Sequence, residues 1–187
     1  MLHAARRRPE ALVIGIDTAA EAMRDTSRLA SRRPEAGGAP NALFLAGDAT
    51  RLEGLQILKG CVDELRVSLP WGSLARAVLD ADPTFMARVA ALLRPGGAMG
   101  LLISVTDRDG GLGRSALCEA DARVLAVDLA ADGFAVRFVR GATAEDVSTV
   151  ASSWAKRLGI PHRRAAWMIE LERRVHAGGT RGPHGRV

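Results

Sequence analysis

Ala11-Leu12-Val13-Ile14-Gly15-Ile16 is a short apolar run closed by an acid, Asp17. It has no polar alternation, and three of its residues are β-branched. It therefore predicts a strand buried on both faces. Such strands belong to sheets covered by helices on both sides. Downstream, Thr18 can cap a helix over 18–33, with Glu21 completing a capping box and Ala22, Met23, Leu29 and Ala30 on one side. Residues 34–40 hold Gly37-Gly38 and form a loop. A second buried strand spans 42–46 and ends at Gly47-Asp48.

The alternation continues to the end of the chain. A short helix over 50–58 precedes a strand over 62–69, which Pro70 stops. Helices over 73–79 and 83–93 lead to Arg94-Pro95-Gly96-Gly97, a strong turn, and to a strand over 98–105. After a glycine-rich loop at 107–113 come a helix over 116–131, a strand over 134–139, a helix over 143–158 with Thr143 as its cap, and a strand over 165–171. Strands alternating with helices imply an α/β fold, a mostly parallel sheet with helices on both faces. The last strand-helix-strand unit predicts an antiparallel edge. Residues 1–175 form one domain, and the Gly- and Arg-rich 176–187 read as a disordered tail.

Composition narrows the function. Of 187 residues, 26 are basic and 21 acidic, a net charge of +5. Lys59 and Lys156 are the only lysines. Arginine forks match phosphate and stack on bases, which suits an RNA partner; a GC-rich coding sequence gives the same bias. Cys61 and Cys118 lack metal-ligand spacing and read as reduced thiols, so no metal is expected. No run is long enough to span a membrane, and the basic start has no apolar stretch of a signal peptide, so a cytoplasmic location is expected.

Three chemically notable positions fall at predicted strand ends, where ligands bind in such sheets. Asp17 can accept the two hydroxyls of a ribose, and Asp48 an exocyclic adenine amine. Both are also ordinary caps or turn residues. Pro70-Trp71 closes the third strand. The chain has three tryptophans, four phenylalanines and no tyrosine. Trp71 and Trp154 stand beside turn, hydroxyl and basic residues. They are either core anchors or surfaces for an unstacked base. Lys156, Arg157, His162, Arg163 and Arg164 cluster around Trp154, as a solvated face or a nucleic-acid surface. No hydrolase triad or phosphate-binding loop is present.

These motifs together resemble the 16S ribosomal RNA methyltransferases that modify adenine 1408 and confer aminoglycoside resistance. The matching residues are Ile14-Gly15-Ile16-Asp17, Arg32-Arg33-Pro34 with Gly37-Gly38, Asn41, Ala49 with Arg51-Leu52, Leu69-Pro70-Trp71-Gly72-Ser73-Leu74, and Ser152 to Leu158 with Arg164. The resemblance spans about residues 11–171. It implies a Rossmann-like, class I S-adenosylmethionine-dependent fold, acting as a monomer on 16S ribosomal RNA in the 30S subunit. It also implies roles. Trp71 and Trp154 would sandwich a flipped adenine, with Ser73 and Ser152 supporting them. Asp17, Asp48, Ala49, Leu69 and Pro70 would line the cofactor site. Arg32, Arg33, Lys156, Arg157, Arg163 and Arg164 would dock RNA, with Arg164 on the displaced backbone. Trp167, inside the last strand, is expected to be buried.

The chain departs from this family in three places. The glycine-rich first strand that cradles the cofactor's amino acid end is missing, so the fold is expected to be N-terminally truncated and to bind S-adenosylmethionine weakly. Thr50 replaces a common Glu, and Glu35-Ala36 a more basic loop. The rival readings are a noncatalytic RNA-binding relative and a small-molecule methyltransferase.

Overall fold

The computed structural model describes residues 1–52, 54–112, 114–131, 133–150 and 153–175, and of Ser153 and Trp154 the backbone alone. The elements are α1 (Leu2–Arg7), β1 (Val13–Asp17), α2 (Ala20–Ala30), β2 (Ala42–Ala46), β3 (Val62–Ser68), α3 (Gly72–Leu79), α4 (Pro83–Leu92), β4 (Leu93–Ile103), α5 (Glu119–Leu129), β5 (Phe134–Gly141), α6 (Ala144–Val150), α7 (Ser153–Leu158) and β6 (Trp167–Arg173). The α/β alternation read from the sequence is present. The expected tail at 176–187 lies outside the described residues.

The strands form two sheets. β1 pairs with β2 in parallel, and the second sheet has the order β3-β4-β6-β5. β3 and β4 are parallel, while β6 runs antiparallel to both β4 and β5. The expected antiparallel strand is therefore an interior one: β6 inserts between β4 and β5, leaving β5 at the edge.

β4 is the centre of the second sheet. Met99, Leu101 and Ile103 point to one face and join Val78, Phe85 and Val89 of α3 and α4 and Leu125 and Leu129 of α5 in the main core. Leu102 points to the other face and packs with Ile160 and Ala166 in a second, smaller core. A strand covered on both faces needs apolar side chains at successive positions, and Met99 to Ile103 supply them. Gly100 interrupts the row for a reason. The Arg66 guanidinium lies across it, where a Cβ would approach Nη1 to 2.0 Å, and pairs with Glu64 on its own strand and Glu170 on β6.

Several local expectations shift. Thr18 does not cap α2, whose N-cap is Ala19; Asp17 Oδ1 accepts the Ala19 N–H instead, at 2.9 Å. Ala22 is exposed, while Met23 and Leu29 are half-buried. Among the described residues of the predicted helix over 50–58 there is a single 3-10 turn, Gln56–Leu58. Arg94 to Gly97 is not a turn between elements. It is a bulge within β4, where the β3 register jumps from Val62–Leu93 to Glu64–Ala98. The predicted helix 143–158 is two helices, α6 and α7. α1 lies in the basic start of the chain. Asn41 holds its end by donating from Nδ2 to the carbonyls of Ala5, Arg8 and Ala11.

The two sheets differ in burial. Phe134, Leu101 and Ile169 are at most 1 % exposed, whereas Leu43 of β2 is 48 % exposed. Phe134→Ala should therefore lower the unfolding free energy by roughly 3–5 kcal/mol. Leu43→Ala should cost less than about 1 kcal/mol, because little area leaves water there. Urea titration of the two variants checks the contrast.

Candidate cofactor and nucleobase site

The carboxyl ends of β1, β2 and β3 carry Asp17, Asp48 and the Leu69-Pro70-Trp71 turn. Asp17 is exposed, and apart from the Ala19 contact its carboxylate has no partner among the described residues. Asp48 accepts from both the N–H and the hydroxyl of Thr50, at 2.8 and 2.7 Å, through one oxygen. Those bonds hold its carboxyl below the usual range. Its other oxygen is 4.0 Å from Arg51. Thr50 is itself tied by its carbonyl to Arg88 of α4. Ala49 sits half-buried beside it.

The turn after β3 is strained. Leu69 has φ +51 and Gly72 φ +59. A non-glycine residue in the left-handed region costs about 1–2 kcal/mol. Such conformations persist where the surroundings enforce them and concentrate at functional sites. Here the Leu69 N–H donates to the Leu102 carbonyl at 2.7 Å, and the Leu69 side chain packs on the small core. Pro70 then projects the chain away. Trp71, extended at the N-cap of α3, is 55 % exposed. A core anchor would be buried; this indole is presented. Ser73 is exposed in the first turn of α3.

The same small core seats α6 and α7. Val147, Val150 and Leu158 pack on Leu102, Ile160 and Ala166 beside Leu69. α7 ends in a Schellman stop, with Ile160 N–H bonded to the Ala155 carbonyl and Gly159 N–H to Lys156. Gly159 has φ +70, which only glycine adopts readily. The backbones bearing Trp71 and Trp154 thus share one apolar seat. The Trp154 side chain and the whole of Ser152 lie outside the described residues. Trp167 is half-buried rather than buried. Its ring packs on the main core while Nε1 donates to the Leu117 carbonyl at 3.0 Å. A partner at the rim is what an indole N–H in a strand end requires.

Of the six basic residues expected to dock RNA, Arg32, Arg33, Lys156, Arg157 and Arg163 are exposed. Arg6 of α1 donates to the Gly37 carbonyl in the loop after Arg32-Arg33, and α1 packs against α6. This links the α2–β2 loop to the α6–α7 side. Arg164 is turned inward instead. Its side chain is 12 % exposed and paired with Asp109 at 2.5 Å. Nε and Nη2 also donate to the hydroxyl and carbonyl of Ser104. The Ser104 hydroxyl donates in turn to the Ala165 carbonyl. The sequence marks Arg164 only as one of a basic run; its partner Asp109 lies 55 residues away in the glycine-rich loop. No signal in the sequence pairs them.

The α/β fold is the one that a methyltransferase solved with SAM adopts. Solved structures agree. The chain matches a tryptophan-to-alanine variant of the 16S rRNA (adenine(1408)-N(1))-methyltransferase with cosubstrate SAM from Catenulisporales acidiphilia, with a TM-score of 0.78 and 27% identity, covering 100% of this chain and 82% of that one. It matches the 16S rRNA methyltransferase KamB with a TM-score of 0.78 and 29% identity, over 93% and 82%. The NpmA family model, 16S rRNA (adenine(1408)-N(1))-methyltransferase, matches residues 1–173, and the chain belongs to that family. The relative of the same name from Streptoalloteichus hindustanus is 31% identical over 86% of this chain and 75% of its own length. The one from Streptoalloteichus tenebrarius is 41% identical over 49% of this chain, and there the chain spans only 41% of the relative. Among the described residues no helix is long and apolar enough to cross a membrane.

Two outcomes follow from the buried pair and from the cap of α6. Asp109→Ala leaves a guanidinium buried without its counter-charge and should cost about 3–5 kcal/mol, whereas Arg163→Ala should leave thermal stability nearly unchanged. Equal, small losses in both would place Arg164 at the surface. At α6, the Arg140 guanidinium holds the Asp146 carboxyl well below its ordinary range, aided by the N–H and hydroxyl of Thr143. A depressed carboxyl stabilises the fold above the unfolded value of about 3.9 and loses that contribution as pH falls through the folded value. The thermal midpoints of wild type and Asp146→Asn should therefore differ at neutral pH and converge only well below pH 4.

Proposed function

We propose that this chain methylates N1 of an adenine in the decoding site of 16S ribosomal RNA, within the 30S subunit, with S-adenosylmethionine as methyl donor. Aminoglycoside resistance follows from that modification. The protein works as a monomer in the cytoplasm. The observation that carries the reading is Trp71, a presented indole on an enforced turn, in a chain of this family. An exposed indole in a chain this rich in arginine favours an RNA substrate over a small molecule.

When bound, the donor supplies a methyl group that is already electrophilic, so the protein's task is placement. Asp17 suits the ribose hydroxyls, and Asp48 with Ala49 the adenine. Leu69 and Pro70 border the transfer point. The residues present fit the adenosine end of the donor. Trp71 offers one face to a flipped adenine, and Trp154 is proposed to offer the other, with Ser73 and Ser152 steadying them. Stacking offsets the few kcal/mol lost when a base leaves its helix. Arg32, Arg33, Lys156, Arg157 and Arg163 bring phosphate contacts. The linked loop and helix contacts support a shared docking surface. Arg164, by contrast, is proposed to hold the loops of the site together through Asp109 and Ser104.

Reverse transcription across the decoding site of 30S subunits treated with protein and S-adenosylmethionine tests the reaction. A stop at one adenine is expected, and an unmodified template overturns the proposal. Trp71→Ala should slow methylation about 5- to 150-fold, the loss of ~1–3 kcal/mol of stacking, with the unfolding midpoint unchanged. Arg163→Ala should lower affinity for 30S subunits and reduce the slope of log affinity against log salt by about one.

A further inference from the structure

A second cleft lies away from the strand ends that carry Trp71. It runs along α5, between that helix, the end of α3 and the chain over 114–117, and has a volume of about 400 Å³. Clefts of roughly 300–1,000 Å³ take small molecules. α3 starts beside Trp71 and ends at Leu79. The cleft and the indole therefore sit at opposite ends of a helix about 12 Å long.

α5 supplies the long wall. Asp121, Val124, Leu125 and Asp128 all line the cleft. Their spacing of three, four and seven residues is that of one helix face. It sets the two acids two turns apart, about 10 Å along the axis, with the apolar residues between them. Leu125 is buried, whereas Val124 is 61 % exposed, an apolar side chain left open on this wall. Leu79 and Leu117 extend the apolar lining.

The charge of the cleft runs against that of the chain. Three carboxylates, Asp80, Asp121 and Asp128, stand against one guanidinium, Arg114, in a protein with a net charge of +5. A phosphate backbone is repelled there, so the cleft is no part of an RNA surface. Asp80 already holds a cation, the Arg114 guanidinium at 2.7 Å. Asp121 accepts the Cys118 N–H at 2.9 Å, which holds its carboxyl below the usual range and keeps it ionised. Asp128 has no side-chain partner among the described residues.

We propose that this cleft binds a linear aliphatic polyamine. One ammonium group meets Asp121 and a second meets Asp128, and the methylene chain between them lies on Val124 and Leu125. An ammonium is a compact charge with three donors, which suits a single exposed carboxylate. Alkyl stems bury on apolar surface while their charged ends stay in water. The size of the cleft is that of a ligand site, not of the roughly 800 Å² per partner that a stable protein interface covers.

Amide and methyl NMR of the full chain tests the site, in about 0.15 M salt to screen diffuse attraction. Three amines are compared. Diaminoheptane carries a charge at each end of a chain that matches two helical turns. Diaminobutane is too short, and heptylamine has one charge. Saturable shifts at Leu117, Asp121, Val124 and Asp128 are expected, with diaminoheptane binding at least fivefold more tightly than either control. Asp128→Lys should weaken it at least tenfold without lowering the thermal midpoint, since Asp128 makes no side-chain bond within the described fold. Asp121→Asn keeps an acceptor for the Cys118 N–H and should also weaken binding. Trp71→Ala should leave it unchanged. Equal affinity for the three amines, shifts away from the cleft, or binding that survives Asp128→Lys overturns the proposal. So does loss of binding in Trp71→Ala, which places the amine on the indole face instead.

Discussion

Leu102 does two things from one position in β4. Its side chain fills the small core under α6 and α7, and its carbonyl takes the Leu69 N–H and holds the turn that presents Trp71. The left-handed backbone at Leu69 and the exposure of the indole both oppose folding. They persist because the apolar seat beneath them is closed. The turn, the two short helices and the start of β6 all rest on that seat, so the geometry of the site is a consequence of how one strand is covered on its second face.

A charged lock reinforces that seat from the side. Arg164 and Asp109 are nearly out of water, and Ser104 satisfies the remaining donors. Buried pairs of this kind add little net stability over apolar packing but are costly to break. Their effect is to permit one arrangement of the loops they join. Those loops are the one leading to α5 and the one leading to β6, both at the carboxyl end of β4. An arginine in a basic run was expected to face solvent. It faces inward because the loop at 106–109 folds back to supply a carboxylate, and a paired charge can be buried where a lone one cannot.

The same logic of cover explains the weak half of the molecule. β4 has neighbours on both edges and helices on both faces, and its side chains from Met99 to Ile103 are closed off from water. β1 is also largely apolar but has one neighbour where β4 has two. Its residues stay part-exposed, and α1 and the Arg8–Glu64 pair hold it against the rest. Hydrophobic character specifies that a strand wants covering; it does not supply the cover.

Much of this was legible from the chain alone. Apolar runs closed by Asp17 and Asp48, and a segment of mixed character but good strand propensity stopped by Pro70, mark the three strand ends. The scarcity of aromatics made Trp71 and Trp154 conspicuous, and Trp71 is exposed. What the sequence could not decide are matters of distant partners. These are the insertion of β6 between β4 and β5, the bulge at Arg94 to Gly97, the inward turn of Arg164 and the half-exposed seat of Trp167. Local pattern determines which segments are strands, helices and turns, since that depends on a few adjacent residues. Tertiary structure alone decides which edge meets which and which charge finds a partner, since those contacts join residues distant in the chain, as with Arg164 and Asp109, 55 positions apart, and Arg66 and Glu170, 104 apart.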